Sequence, residues 1–92
     1  MRVSVSFLGA LEDQIGRQSV LMELPPGATF RDLLDAIAPI VGDRLAGWAW
    51  DRERRSFTKL VLVSRNLVDI RDEGIQLADG DEILVLPPIG GG

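Results

Sequence analysis

Polar and apolar residues alternate from position 2 to position 8. Val3, Val5 and Phe7 fall on one side, Ser4 and Ser6 on the other. A period of two predicts a half-buried strand. A second run of the same period places Val20, Met22 and Leu24 on a shared face, and the two runs predict an antiparallel hairpin. The gap between them, Gly9 to Arg17, is longer than a tight turn and has room for a helical turn around Leu11.

Pro25-Pro26-Gly27 stops the second strand, because proline has no N–H to give to a ladder. Thr29 then reads as an N-cap, with Asp32 favouring the positive end of a helix. Phe30, Leu33, Leu34 and Ile37 form a helical stripe, and Pro39 is expected to end or bend that helix. Residues 40–58 carry Gly42, Gly47, Trp48, Trp50 and the run Asp51-Arg52-Glu53-Arg54-Arg55; they read as a loop with room for a short helix. The apolar run Leu60 to Ser64 reads as a central strand, and Asn66 to Ile70 as a turn with a short strand. Ala78-Asp79-Gly80-Asp81 is a turn signal ahead of a last strand, Glu82 to Leu86. One amphipathic helix must bury its stripe against one face of the sheet. A hairpin, a crossover helix and returning strands describe an α+β fold of the β-grasp type, a mixed sheet on one main helix. The expected division is a domain over residues 1–86 and an extended, flexible tail over 87–92.

Composition narrows the chemistry. The 92 residues suit one domain with one modest core. There is no Cys and no His, so thiol and imidazole nucleophiles, most zinc sites and any disulfide framework are excluded, and no metal site is expected. A net charge of −4 argues against a phosphate-tracking surface and is compatible with docking on a basic protein surface. The first residues do not read as a signal peptide, and no apolar run approaches membrane-spanning length, so a cytoplasmic location with no membrane partner is expected.

The tail carries the chemistry. Pro87-Pro88 restricts the chain to extended forms, and Ile89-Gly90-Gly91-Gly92 follows. Six extended residues reach at most about 20 Å, enough to present a carboxylate away from a body with a radius of gyration of roughly 12 Å. Glycine is the residue that loses most freedom on ordering, so three in a row suit a channel too narrow for side chains. The Gly92 carboxylate is unhindered and ionised at neutral pH. It can attack the α-phosphate of ATP without help from a catalytic side chain of this chain. The bland reading is a chain end where glycine meets no packing demand.

Three stretches, Phe7-Leu8-Gly9-Ala10-Leu11-Glu12-Asp13-Gln14-Ile15-Gly16, Leu77-Ala78-Asp79-Gly80-Asp81-Glu82-Ile83 and Pro87-Pro88-Ile89-Gly90-Gly91-Gly92, resemble the MoaD-like small subunit of molybdopterin synthase, within the MoaD/ThiS ubiquitin-like sulfur carriers. The last fits the terminal Pro-Pro-x-x-Gly-Gly of that family in register. The resemblance implies a ubiquitin-like β-grasp and a carrier rather than an enzyme. An E1-like adenylating enzyme would supply ATP and the sulfur source, and Gly92 would be adenylated and then thiocarboxylated. Pro87, Pro88, Ile89, Gly90 and Gly91 would enter a larger molybdopterin synthase-type subunit, which passes the sulfur to a pterin precursor. No cofactor would be bound by the carrier itself. Asn66-Leu67 departs from the Asn-Gly turn common in the family, and Trp48 to Thr58 is not a pattern typical of this branch.

Other residues have plainer readings beside functional ones. Of the two alternating pairs in the last strand, one should face the helix. The other, expected to be Leu84 and Leu86, would form a docking patch beside the tail. Trp48 and Trp50 read as interface anchors or, for at least one of them, as cover for the core edge. Arg52, Arg54 and Arg55 suit an acidic partner or simply a solvated face. Asp79, Asp81 and Glu82 are expected to serve the turn. Lys59 is the single lysine. Alternatives to the molybdopterin assignment are a carrier for thiamine thiazole or tRNA thiolation, a ubiquitin-like protein modifier, or a β-grasp interaction module with an inert tail.

Overall fold

A computed structural model describes residues 1–88. Strands β1 (Arg2–Phe7) and β2 (Ser19–Glu23) form the antiparallel hairpin, with Val5 opposite Val20, and the short helix α1 (Ala10–Ile15) fills the connection. The main helix, α2, spans Phe30–Val41. Strands β3 (Trp50–Asp51) and β4 (Ser56–Phe57) pair as a separate hairpin. Strands β5 (Leu62–Arg65), β6 (Val68–Asp69) and β7 (Glu82–Leu86) complete a five-stranded sheet ordered β2-β1-β7-β5-β6. Only β1 and β7 run parallel, so the sheet is mixed and the fold is a β-grasp.

The alternation decides which face is covered. Val3, Val5, Phe7, Ile83 and Val85 are buried on the side that receives α2, which contributes Phe30, Leu33, Leu34, Ile37 and Val41. Burying each such side chain stabilises by about 1.5–3 kcal/mol. The start of α2 is locked by a reciprocal box: the Asp32 N–H donates to Thr29 Oγ1 at 3.3 Å, and the Thr29 N–H donates to Asp32 Oδ2 at 2.8 Å. These two bonds satisfy donors that the first turn leaves without partners.

Two expectations need correction. Pro39, expected to end or bend the helix, does not end it: α2 continues to Val41. Val41 lies one turn beyond Ile37 on the buried face, and Pro39 is exposed, so only the Asp35 carbonyl loses its helical donor. Residues 40–58 contain the β3–β4 hairpin rather than a loop with a short helix. Trp50 is buried and packs edge-on against Phe57 with ring centroids 5.0 Å apart, whereas Trp48 is exposed. Arg31 holds the hairpin from outside: its guanidinium donates to the carbonyls of Arg54 and Arg55 while pairing with Asp35 at 2.9 Å and Glu73 at 3.1 Å.

Candidate functional site

Register places the expected docking residues. Ile83 and Val85 face the core, so Leu84 and Leu86 lie on the open face of the sheet, both half-buried. Leu86 pairs with Leu62 on β5, and Leu84 lies between Ser6 on β1 and Ser64 on β5. The Leu8 N–H donates to the Val85 carbonyl at 3.1 Å, which extends the β1–β7 alignment by one residue and brings Leu8 beside Leu86. The open face is therefore unequal from end to end. Ser4, Ser6 and Ser64 occupy its middle with the exposed Leu21 on the β2 edge, the Arg2–Glu23 ion pair closes one end, and Leu8, Leu86 and Leu62 form an apolar row at the other. Pro87 and Pro88 leave the sheet from that row. Ile89, Gly90, Gly91 and Gly92 lie outside the described residues.

Gly9 shapes the exit. Its φ of 56° and ψ of −130° suit only glycine, and a Cβ there would sit 3.3 Å from Pro87 Cγ. The run Phe7-Leu8-Gly9 was visible in the sequence, but its place beside residue 87 follows from pairing between strands far apart in the chain. Leu8 and Leu62 were missed as parts of the patch for the same reason.

The turn before β7 is held by Asp81, which is only 5% exposed. Its carboxylate accepts from Arg65 Nε at 2.8 Å, from Asn66 Nδ2 at 3.1 Å and from the Ala78 N–H at 2.8 Å. Burial opposes ionisation of this group, but the Ala78 N–H, Asn66 and Arg65 outweigh it and hold the carboxyl below its usual range. Asp79 accepts from the Arg2 N–H at 2.7 Å, and the Glu82 N–H donates to Asn66 Oδ1 at 2.9 Å. Asp79 and Asp81 therefore serve the turn through their side chains, and Glu82 through its backbone. These bonds fix where β7 begins and hence where the tail leaves. Lys59 is exposed. Among the described residues no His, Cys, Asp and Glu group is suited to hold a metal ion, and no helix is long and apolar enough to cross a membrane.

Comparison with known proteins bears on the fold and the family. The fold matches SAMP1 from Haloferax volcanii at a TM-score of 0.77 and 26% identity, with both chains covered in full. A putative molybdopterin converting factor subunit 1 from Pyrococcus furiosus matches at 0.71 and 25% identity, over 97% of this chain and 99% of that one. One chain of the protein–protein complex of subunits 1 and 2 of the molybdopterin-converting factor from Helicobacter pylori matches at 0.65 and 21% identity, over all of this chain and all of that one, which speaks to the fold alone. No curated protein sequence matches the chain. The ThiS family model, by contrast, matches residues 5–92, and the chain belongs to the ThiS family.

Proposed function

We propose that this chain is a sulfur carrier, charged at Gly92 and donating sulfur in molybdopterin biosynthesis. The observation that carries the reading is the apolar row Leu8, Leu86 and Leu62, which runs into Pro87-Pro88 ahead of three glycines. A partner that covers the row also receives the tail. In the charging step a Gly92 carboxylate oxygen attacks the α-phosphorus of ATP and expels pyrophosphate. The outer sulfur of an enzyme persulfide then displaces AMP from the acyl carbon, and a thiol reduces the resulting acyl disulfide to the thiocarboxylate. The E1-like enzyme contributes the nucleotide site and the persulfide. A larger synthase-type subunit contributes the pterin pocket. This chain contributes the docking row, the exit set by Gly9 and Asp81, and the reacting carboxylate. The likeness to a molybdopterin converting factor subunit from Pyrococcus furiosus supports the pterin assignment.

A second reading, a protein modifier, is favoured by the likeness to SAMP1. Intact mass after co-expression with an activating enzyme and a sulfur source separates the two. Exchange of one terminal oxygen for sulfur supports the carrier. Isopeptide linkage to lysines of other proteins supports the modifier. An unchanged mass under conditions that charge a known carrier refutes both.

A further inference from the structure

The β3–β4 hairpin does not belong to the tail or to its docking face. Between the hairpin and the C-terminal half of α2 lies a cleft of about 350 Å³. Its apolar wall is made by Ala38, Pro39 and the ring of Trp50, and Arg52 and Arg55 line it from the hairpin side. We propose that this cleft binds a Glu or Asp side chain from an acidic segment of a partner protein.

Three donors reach the cleft. Trp50 is 2% exposed, and its indole N–H has no hydrogen-bond partner among the described residues. Every fully buried polar side-chain atom among those residues does have a partner, so this N–H is one that meets solvent. It does so at the cleft, because a Cβ on Gly42, another wall residue, would sit 3.8 Å from Trp50 Nε1. Arg52 donates through Nε to the Gly42 carbonyl at 2.8 Å, which closes the end of α2 and leaves both Nη groups for another acceptor. The Arg55 guanidinium forms no ion pair or hydrogen bond among the described residues, and its backbone is held at a φ of 51°. A non-glycine residue there is strained, and strain of this kind collects at ligand clamps. The strained turn is kept in place by Arg31, which takes the Arg54 and Arg55 carbonyls.

Charge selects the ligand. Residues 42–59 carry Arg44, Arg52, Arg54, Arg55 and Lys59 against Asp43, Asp51 and Glu53, a balance of +2; since the whole chain is −4, the remainder carries −6. An acidic partner is attracted to this segment and repelled elsewhere. Asp35 and Asp43 also line the cleft. Asp35 pairs with Arg31, which Glu73 shares, and Asp43 is a wall residue that can accept the backbone N–H groups of a peptide but would repel a phosphate chain. The cleft therefore suits a carboxylate on a peptide better than a nucleic acid. It lies on the helix side of the sheet, away from the docking row, so both can be occupied at once.

The test is a titration of the ¹⁵N-labelled full chain, with the Trp50 indole N–H as reporter and Trp48 as internal control. The probe is a capped hexaglutamate peptide, compared with capped hexaglutamine, inorganic phosphate and a short single-stranded RNA. Saturable movement of the Trp50 signal with hexaglutamate alone is expected. Arg52→Gln should weaken binding about tenfold, the scale of one charge-assisted hydrogen bond. Arg55→Gly should do the same, and it suits the positive φ, so that variant folds. The proposal is overturned if Trp50 does not respond, if hexaglutamine binds equally, if phosphate or RNA binds more tightly, or if both variants bind as the parent does.

Discussion

The turn between β5 and β6 passes through Asn66 and Leu67 with φ of 50° and 72°, a left-handed pair of the kind that closes two-residue hairpins. Asparagine tolerates this region and leucine does not. Leu67 is also 86% exposed, so its side chain recovers almost nothing by packing. Leu67→Gly should therefore stabilise the protein. Relief of the left-handed penalty gives about 1–2 kcal/mol, and the extra freedom of glycine in the unfolded chain takes back about 0.4–1 kcal/mol. The net gain lies within about 0–1.6 kcal/mol and is centred on about 0.8 kcal/mol, a rise in Tm of about 3–6 °C for a domain of this size. Thermal melting by circular dichroism reads this directly, and urea titration should show a higher midpoint at unchanged slope. Val68→Gly, on the neighbouring strand residue, serves as the control and should lower Tm. A Tm for Leu67→Gly below that of the parent would refute the strain argument.

Gly9→Ala should destabilise by about 1–3 kcal/mol, because it combines a disfavoured backbone with contact against Pro87; urea denaturation measures it. Asp81→Asn should cost about 1.5–3 kcal/mol at pH 7, by loss of its charged hydrogen bonds. Because the folded carboxyl lies below its ordinary value of 3.8, its contribution is complete above that value and is lost as the pH falls toward the folded one. The difference between parent and Asp81→Asn should thus shrink below about pH 4, as denaturation at pH 7 and pH 3 would show. Gly92→Ala should leave stability within about 0.5 kcal/mol and sharply reduce thiocarboxylate formation, read by intact mass after incubation with the activating enzyme.

The parts of the fold that were readable in the sequence are those fixed by local periodicity. Val3, Val5 and Phe7 alternate because one face of β1 is dry, and Thr29 with Asp32 announces the start of α2. Pro39 does not stop α2 because Val41 has a buried place one turn beyond Ile37, a long-range contact that no local pattern announces. The β3–β4 hairpin was hidden because each strand has two residues, too few for a period. What holds it is contact across the chain, from Trp50 to Phe57 and from Arg31 to the turn. The site divides in the same way. Leu84 and Leu86 followed from alternation within one strand. Leu8, Leu62 and Gly9 join them only through the pairing of β7 with β1 and β5.

The tail leaves from β7, the middle strand, which is bonded along one edge to β1 and along the other to β5. An outward pull on residues beyond Pro88 loads both ladders in shear, so many hydrogen bonds must give together rather than one after another. The body can therefore serve as a firm handle. Under the proposed function, a partner that grips the glycine end and later lets it go works against a mechanically stiff anchorage, and the domain should survive repeated insertion and withdrawal without unravelling.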